Sequence, residues 1–172
     1  MKIRNTSKIR NPKSKIVPLS RLVQLREKAR REGRTVVFTN GVFDLLHRGH
    51  VDYLLRARAL GDLLLIGLNT DASTRRLKGP PRPLMKQADR AEVLSALESV
   101  DHIVFFNEDT PARLIARILP DILVKGADYR EKDIVGSDAV KAHGGRVGRM
   151  KYLKGYSTTR LIRNILRRSR SR

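Results

Sequence analysis

The sequence contains no cysteine and no tryptophan, and its 172 residues include only 17 aspartates and glutamates against 37 lysines and arginines. The absence of cysteine excludes disulfides, thiolate zinc sites and cysteine nucleophiles. No apolar run reaches the length that spans a membrane, and residues 1–15 lack the apolar middle of a secretory signal. We therefore expect a soluble, cytoplasmic protein without a membrane partner.

The formal net charge is +20, which raises the question of a polyanionic partner such as nucleic acid. Basic residues crowd both ends of the chain, in residues 2–15 and 163–172. No aromatic residues interleave these runs, so the stacking surface that single-stranded nucleic acid often uses is missing there. We interpret both runs as solvated tails. A basic, non-catalytic nucleic-acid-binding protein remains the alternative from a different class.

The length and a hydrophobic content of 40% are enough for one domain with its own core. Residues 1–17 are polar and basic, and we expect a flexible N-terminal extension there. The domain should occupy residues 18–168, followed by a basic tail over residues 169–172.

Five buried apolar segments read as strands, at residues 35–40, 62–69, 102–106, 121–126 and 146–153. Helical patterns separate them, beginning with a helix capped by Ser20 and including one capped by Thr110. Apolar strands without alternation, each separated by a helix, predict a doubly wound α/β fold. We expect a Rossmann-like, five-stranded parallel sheet with helices on both faces. Ligands should bind at the carboxyl ends of the strands.

His47, Gly49 and His50 follow the first strand, at the start of the next helix. A catalytic zinc site usually needs a third ligand, and His102 and His143 lie in poor positions to supply one. A pair of polar residues that caps a turn is one interpretation. The other is a phosphate site, because a helix N-terminus favours anions and two imidazoles can donate to them.

The stretch NGVFDLLHRGH, residues 40–50, resembles the signature of the nucleotidyltransferase superfamily, which includes cytidylyltransferases and pantetheine-phosphate adenylyltransferase. Within it, the chain is most similar to the D-glycero-β-D-manno-heptose 1-phosphate adenylyltransferases. Four further segments resemble that group in the same order: GLNTDASTRRLKG, DRAEVLSALESVD, EDTPARLIARILPDILVKGADY and GYSTTRLI. The resemblance covers residues 19–166. Related cytidylyltransferases carry arginine and glutamate where this chain has Tyr152 and Lys154.

The resemblance implies transfer of AMP from ATP to heptose 1-phosphate, giving ADP-heptose and pyrophosphate for lipopolysaccharide-type glycans. A cytidylyltransferase or an FAD-forming adenylyltransferase remains the alternative within the class. Mg²⁺ is expected to bind mainly through the nucleotide phosphates, without metal ligands from the protein. The implied partners are ATP, a phosphorylated sugar, a second copy of the chain in a homodimer, and a sugar kinase on another polypeptide.

The resemblance also implies roles for single residues. The expected catalytic residues are His47, His50 and Lys78. The expected nucleotide-binding residues are Asn40, Gly41, Phe43, Gly49, His50, Arg90, Lys125, Gly126, Ser157, Thr158 and Thr159. The expected residues for the sugar phosphate are Asp44, Asn69, Asp71, Asp128 and Tyr129. Competing structural interpretations are a tight turn for Asn40 and Gly41, core packing for Phe43, helix caps for Asp44 and Asp71, a solvated helix face for Arg90 and a loop staple for Tyr129.

Overall fold

The computed structural model describes residues 12–169. Its strands are β1 (Val36–Gly41), β2 (Leu63–Asn69), β3 (His102–Phe106), β4 (Ile122–Gly126) and β5 (Arg146–Met150). Its α-helices are α1 (Leu19–Arg31), α2 (Arg48–Arg58), α3 (Asp71–Lys78), α4 (Gln87–Ser95), α5 (Ala112–Ile118), α6 (Ser137–Ala142) and α7 (Thr158–Ser169). Within residues 12–169, no helix is both long enough and apolar enough to cross a bilayer.

The sheet has the order β3-β2-β1-β4-β5, and all neighbouring strands run parallel. Chain order reverses between β1 and β4, because β1 is followed by β2 on one side and has β4 on its other side. In open α/β sheets, ligands bind beside such a reversal, at the carboxyl ends of the strands. The predicted Rossmann-like fold is confirmed.

Two apolar clusters cover the two faces of this sheet. Successive side chains of a strand point to opposite faces, so Val37 joins one cluster, and Val36 and Phe38 join the other. Six of the seven residues of β2 are buried, as expected for a strand covered on both faces. The sheet is therefore a firm support for the loops at its carboxyl edge.

The expected flexible extension over residues 1–17 is wrong for its last six residues. Pro12–Lys15 forms a short 3-10 helix, and the Lys15 ammonium donates to the carbonyl of Leu97 at 2.9 Å. Ile16 then pairs with Ile103 of β3. Residues 1–11 and 170–172 lie outside the described residues, and Ser169 is the last residue of α7.

Helix ends also differ from the predictions. Pro18 rather than Ser20 precedes the first helix, and Pro111 rather than Thr110 occupies the N-cap of α5. A proline suits the start of a helix because the missing N–H would have no partner there. Lys78 lies at the end of α3, the helix that follows β2 and is capped by Thr70. The last strand ends at residue 150 rather than 153.

Candidate functional site

His47 and His50 form a rigid pair at the N-terminus of α2. His47 is the N-cap, and its Nδ1 accepts a hydrogen bond of 3.3 Å from the His50 backbone N–H. This places the two imidazoles in a stack, with ring centroids 3.8 Å apart and ring planes 15° apart. The capping interpretation is therefore correct for His47, and it also fixes both rings. We call residues 47–50 the histidine turn.

Both imidazoles of the histidine turn favour the neutral form. Burial, and secondly the charge that His47 would carry, lower the pKa of His50 to about 4. Burial also lowers the pKa of His47, against the effect of a backbone hydrogen bond. An anion opposite the rings would favour the protonated forms and raise both pKa values. The pair can thus gain positive charge when a phosphate binds.

Gly49 allows the start of α7 to lie against the histidine turn. A Cβ on Gly49 would lie 2.9 Å from the Cβ of Tyr156 and 3.1 Å from Nδ1 of His47, closer than side chains pack. Arg48 donates to the Tyr156 hydroxyl at 3.4 Å and places its guanidinium 5.7 Å from that ring. The Ser157 hydroxyl, beside them, accepts from the N–H of Arg160 at 3.1 Å.

Two helix N-termini, those of α2 and α7, are therefore neighbours at this edge. Their first N–H groups have no partners within the helix, and their dipoles favour an anion. Thr158 and Thr159 are the first two residues of α7. Because the Ser157 hydroxyl is engaged as a cap, any contact of Ser157 with a phosphate would use its remaining hydrogen-bonding capacity.

Phe43 packs against the histidine turn. Its φ of 46° lies in the left-handed region, which is rare for a bulky residue and marks local strain. Its ring meets the His50 ring edge-on at 5.1 Å, and a Cβ on Gly41 would lie 3.0 Å from it. Phe43 is buried, as its core interpretation requires, and Gly41 leaves room for its ring.

Asp44 anchors the segment that follows α3. Its carboxylate is buried and lies 2.6 Å from the Arg82 guanidinium. It also accepts hydrogen bonds from the backbone N–H groups of Leu84 and Met85, at 2.8 Å and 3.0 Å. These bonds hold residues 82–85 against the loop that precedes the histidine turn. The predicted contact of Asp44 with the sugar phosphate stays a prediction.

Arg90 is buried, so the interpretation as a solvated helix face is wrong, and its predicted contact with the nucleotide stays a prediction. Only 1% of its surface is exposed. Its guanidinium donates to the carbonyls of Met85 at 3.1 Å, Val42 at 2.5 Å and Asn69 at 2.9 Å. It also pairs with the Asp71 carboxylate at 2.8 Å. Arg90 thereby ties together the segments that follow β1 and β2.

Asn69 and Asp71 belong to the same structural network. The buried Asn69 side chain donates to the Ser73 hydroxyl at 2.9 Å, while Asp71 pairs with Arg90. Thr70, and not Asp71, caps α3. Lys78 is exposed at the far end of α3, and no described contact joins it to the histidine turn. The substrate role of Asn69 and Asp71 and the catalytic role of Lys78 stay predictions.

Lys125 and Asn40 meet at a second corner of the edge, between the ends of β1 and β4. The Lys125 ammonium donates to the side-chain oxygen of Asn40, across 85 residues of sequence. Burial lowers the pKa of Lys125 to about 8, and the Asp128 carboxylate opposes that shift. Asn40 therefore does more than form a tight turn, because its side chain fixes a partly buried cation.

Gly126 ends β4 where no side chain fits. A Cβ there would collide with the Asp128 carboxylate and with the ring of Tyr152, which both lie over this glycine. The Tyr152 ring packs 5.6 Å from that of Tyr53. Tyr129 follows, about half exposed, with its N–H bonded to the Gly126 carbonyl at 3.2 Å. We call this group the Lys125 corner: Asn40, Lys125, Asp128 and Tyr152.

Sequence reasoning missed three contributors to these corners. Tyr156 contacts the histidine turn, and its position just before the serine and threonine motif was an available signal. Tyr53, whose hydroxyl lies 2.8 Å from that of Thr39, packs under Tyr152. Arg82 pairs with Asp44, 38 residues away in the sequence, and no local sequence pattern predicts such a contact.

The sequence profile described as cytidylyltransferase-like matches residues 38–164, which contain the histidine turn and the Lys125 corner. The chain belongs to the cytidylyltransferase-like family. This confirms the superfamily predicted from the motifs. The protein named "Bifunctional protein HldE" from Syntrophotalea carbinolica is 56% identical over 155 residues, which are 90% of this chain and 32% of that protein. Its namesake from Magnetococcus marinus is 58% identical over 134 residues, covering 78% and 28%. The chain thus spans about a third of the length of these curated relatives.

Solved structures agree with this membership. The lipopolysaccharide core biosynthesis protein from Thermoplasma volcanium GSS1 is 30% identical, with a TM-score of 0.59 over 73% of this chain and 100% of that one. The pantoate-beta-alanine ligase from Francisella tularensis, complexed with beta-gamma ATP and beta-alanine, has a TM-score of 0.56 at 13% identity, over 88% of this chain and 78% of that one. The second likeness concerns the fold alone.

Proposed function

We propose that the protein is an adenylyltransferase that transfers AMP from ATP to D-glycero-β-D-manno-heptose 1-phosphate and releases pyrophosphate. The observation that carries the proposal is the stacked pair of His47 and His50, held at the N-terminus of α2 beside the start of α7. Similarity to HldE proteins and to a lipopolysaccharide core biosynthesis protein supports the choice of substrate within the class.

In this reaction, an oxygen of the acceptor phosphate attacks the α-phosphorus of ATP while the bond to the β-phosphate breaks. Pyrophosphate leaves with the electron pair, so no covalent enzyme intermediate is needed. The protein contributes positioning and charge stabilisation. His47 and His50 donate hydrogen bonds to the phosphate oxygens on which charge develops. Thr158, Thr159 and the first N–H groups of α7 bind the outer phosphates.

The family implies a divalent metal ion that accompanies the nucleotide. Within residues 12–169, no three histidine, aspartate or glutamate side chains gather as a ligand set. Asp44 and Asp71 already pair with arginines. This arrangement fits a metal ion that is bound by the triphosphate and arrives with it. We propose Mg²⁺, which retains its water ligands. When bound, it would neutralise part of the phosphate charge.

A pyrophosphate-release assay with ATP, Mg²⁺ and heptose 1-phosphate tests the proposal. Release with this pair, and at least about tenfold less with CTP or with FMN as acceptor, is the expected result. His50→Ala should lower kcat by about 100- to 1,000-fold, as the loss of one charge-stabilising donor does. His143→Ala is the matched control, because His143 is exposed at the end of α6. Release with CTP but not ATP would replace the proposal by a cytidylyltransferase.

Two further partners belong to the proposal. A sugar kinase must supply the acceptor, because the reaction starts from a sugar that already carries phosphate. The predicted homodimer draws support from α7, whose Leu161, Ile165 and Leu166 side chains are exposed. Light scattering of the purified protein measures the oligomeric state.

A further inference from the structure

The Lys125 corner lies outside the histidine turn and joins residues from three parts of the chain. Asn40 lies at the end of β1, Lys125 at the end of β4, and Tyr152 just after β5. The corner lies beside the reversal of strand order, where ligands of this architecture bind. The mechanism above makes no use of its cation.

The Lys125 ammonium has donors to offer. It carries three N–H groups, and the described contacts use one, to the side-chain oxygen of Asn40. The arginines near the same edge differ, because Arg82 pairs with Asp44 and Arg90 is saturated by three carbonyls and a carboxylate. Lys125 is thus an anchored cation that retains capacity for an anionic ligand.

The groups around Lys125 match a polyhydroxylated molecule. Within residues 12–169, the Asp128 carboxylate forms no side-chain hydrogen bond or ion pair, although it lies over Gly126 beside Tyr152. A carboxylate and a phenol accept and donate the hydrogen bonds that hydroxyl groups require. Tyr152 and Tyr129 are each 48% exposed, so their rings offer apolar faces to a sugar ring.

We propose that the Lys125 corner is the acceptor site and that Lys125 binds the phosphate of the sugar phosphate. The Asp128 carboxylate and the Tyr152 hydroxyl form hydrogen bonds with the hydroxyl groups of the sugar. The assignment deepens the proposed function and rests on it. It differs from the role expected from the sequence, in which Lys125 binds the nucleotide and not the acceptor.

The assignment meets a requirement of the chemistry. The attacking phosphate and the triphosphate are both anions, so their approach is unfavourable unless a cation stands between or beside them. Lys125 would reduce this repulsion while the new oxygen bond to the α-phosphorus forms and pyrophosphate departs. The β1 strand links the two sites, since Asn40 belongs to the corner and Phe43, three residues later, contacts His50.

Lys125→Met tests the assignment, because methionine keeps the length of the side chain and removes the charge. We expect kcat/KM for the sugar phosphate to fall at least about 100-fold, while the dissociation constant of a non-reacting ATP analogue changes less than about threefold. Lys125→Arg should recover part of the loss. Lys132→Met, at an exposed lysine, is the control. Circular dichroism of each variant verifies the fold.

Direct titration of the sugar phosphate into protein saturated with the analogue separates this inference from the function. Wild-type binding that Lys125→Met abolishes supports the acceptor site even if no pyrophosphate is ever released. Pyrophosphate release by the wild type with an unchanged acceptor KM in Lys125→Met would overturn the inference and leave the proposed function intact. Equal losses of analogue and acceptor binding would also overturn it, since Lys125 would then serve the nucleotide.

Discussion

The histidine turn and the Lys125 corner lie at the same edge of the sheet but differ in how they present positive charge. The histidine turn holds two imidazoles that burial keeps neutral near pH 7. The Lys125 corner holds an ammonium that is charged below a pKa of about 8. The first therefore gains charge in response to an anion, whereas the second offers charge to any anion that arrives.

The two corners also differ in construction. Four consecutive residues and one helix N-terminus make the histidine turn, so its geometry follows from local structure. The Lys125 corner depends on the pairing of β1 with β4 and of β4 with β5. The histidine turn is neutral and formed by local structure, whereas the Lys125 corner is charged and formed by tertiary contacts. Two such different sites suit a reaction between two different phosphates. The following predictions separate the two sites.

The largest expected effect comes from Arg90→Met. Removing the guanidinium leaves the carbonyls of Val42 and Asn69 and the Asp71 carboxylate without their partner. Breaking one side of such a buried pair costs about 3–5 kcal/mol of the free energy of unfolding. Because the Val42 carbonyl begins the segment that carries the histidine turn, affinity for an ATP analogue should fall as well. Urea unfolding and analogue titration measure the two effects.

Arg26→Met is the matched control for Arg90. Arg26 is also buried and bonds the carbonyl of Leu119 and the carboxylate of Asp121, at the edge of the sheet opposite to the histidine turn. It should lose stability while the folded protein keeps its nucleotide affinity. Equal loss of affinity in both variants would mean that Arg90 has no special link to the histidine turn.

Gly49→Ala should act on the histidine turn alone. The new methyl group must displace Tyr156, whose Cβ would lie too close at 2.9 Å, and it would also crowd the His47 ring at 3.1 Å. A misplacement of this size costs up to about 100-fold in rate. We expect kcat/KM for ATP to fall by roughly 10- to 100-fold in steady-state kinetics, with analogue binding to match. Gly148→Ala, where the nearest atom is 3.5 Å from the new Cβ, should change neither.

The smallest effect is the pH dependence of stability. The folded-state pKa of His50 is about 4 and its ordinary value is 6.5, so the unfolded chain binds more protons between these values. Stability from this group is complete above about pH 6.5 and is lost as the pH falls toward 4. At pH 5 the loss should be on the order of 1–2 kcal/mol, measured by urea unfolding.

His50→Gln should flatten that dependence. The same profile recorded with a saturating ATP analogue should also be flatter, because the triphosphate stabilises the protonated ring. An identical slope in wild type and His50→Gln would show that His50 does not titrate as its environment requires.

The sequence predicted most of the fold because the information was local. Apolar strands such as 62–69 lack alternation, and the helices between them have the matching period, so a parallel sheet follows. The helix α3 is hard to predict from the sequence, because polar residues dominate its eight positions and Thr70 looks like part of a loop. The helix caps were misplaced because serine and threonine compete with proline, which needs no partner for a missing N–H.

The site was predictable in its motif and not in its tertiary pairings. His47, Gly49 and His50 were found because one short stretch contains the whole turn. The resemblance to the family assigned Asp44 and Arg90 to ligands, and it carries no information about their partners within the folded chain. Their partners, such as Arg82 for Asp44, are brought close only by the folded chain. Because a buried charge is unfavourable without a partner, each of these charges pairs with a group inside the protein.

The central claim is that the histidine turn binds the phosphates of the nucleotide, and NMR titration of the histidine rings tests it most directly. The chain has only four histidines, so each can be assigned by substitution. We predict that an ATP analogue raises the pKa of His50 from about 4 and also raises that of His47. Titration curves of His47 and His50 that stay the same with saturating nucleotide would contradict the account.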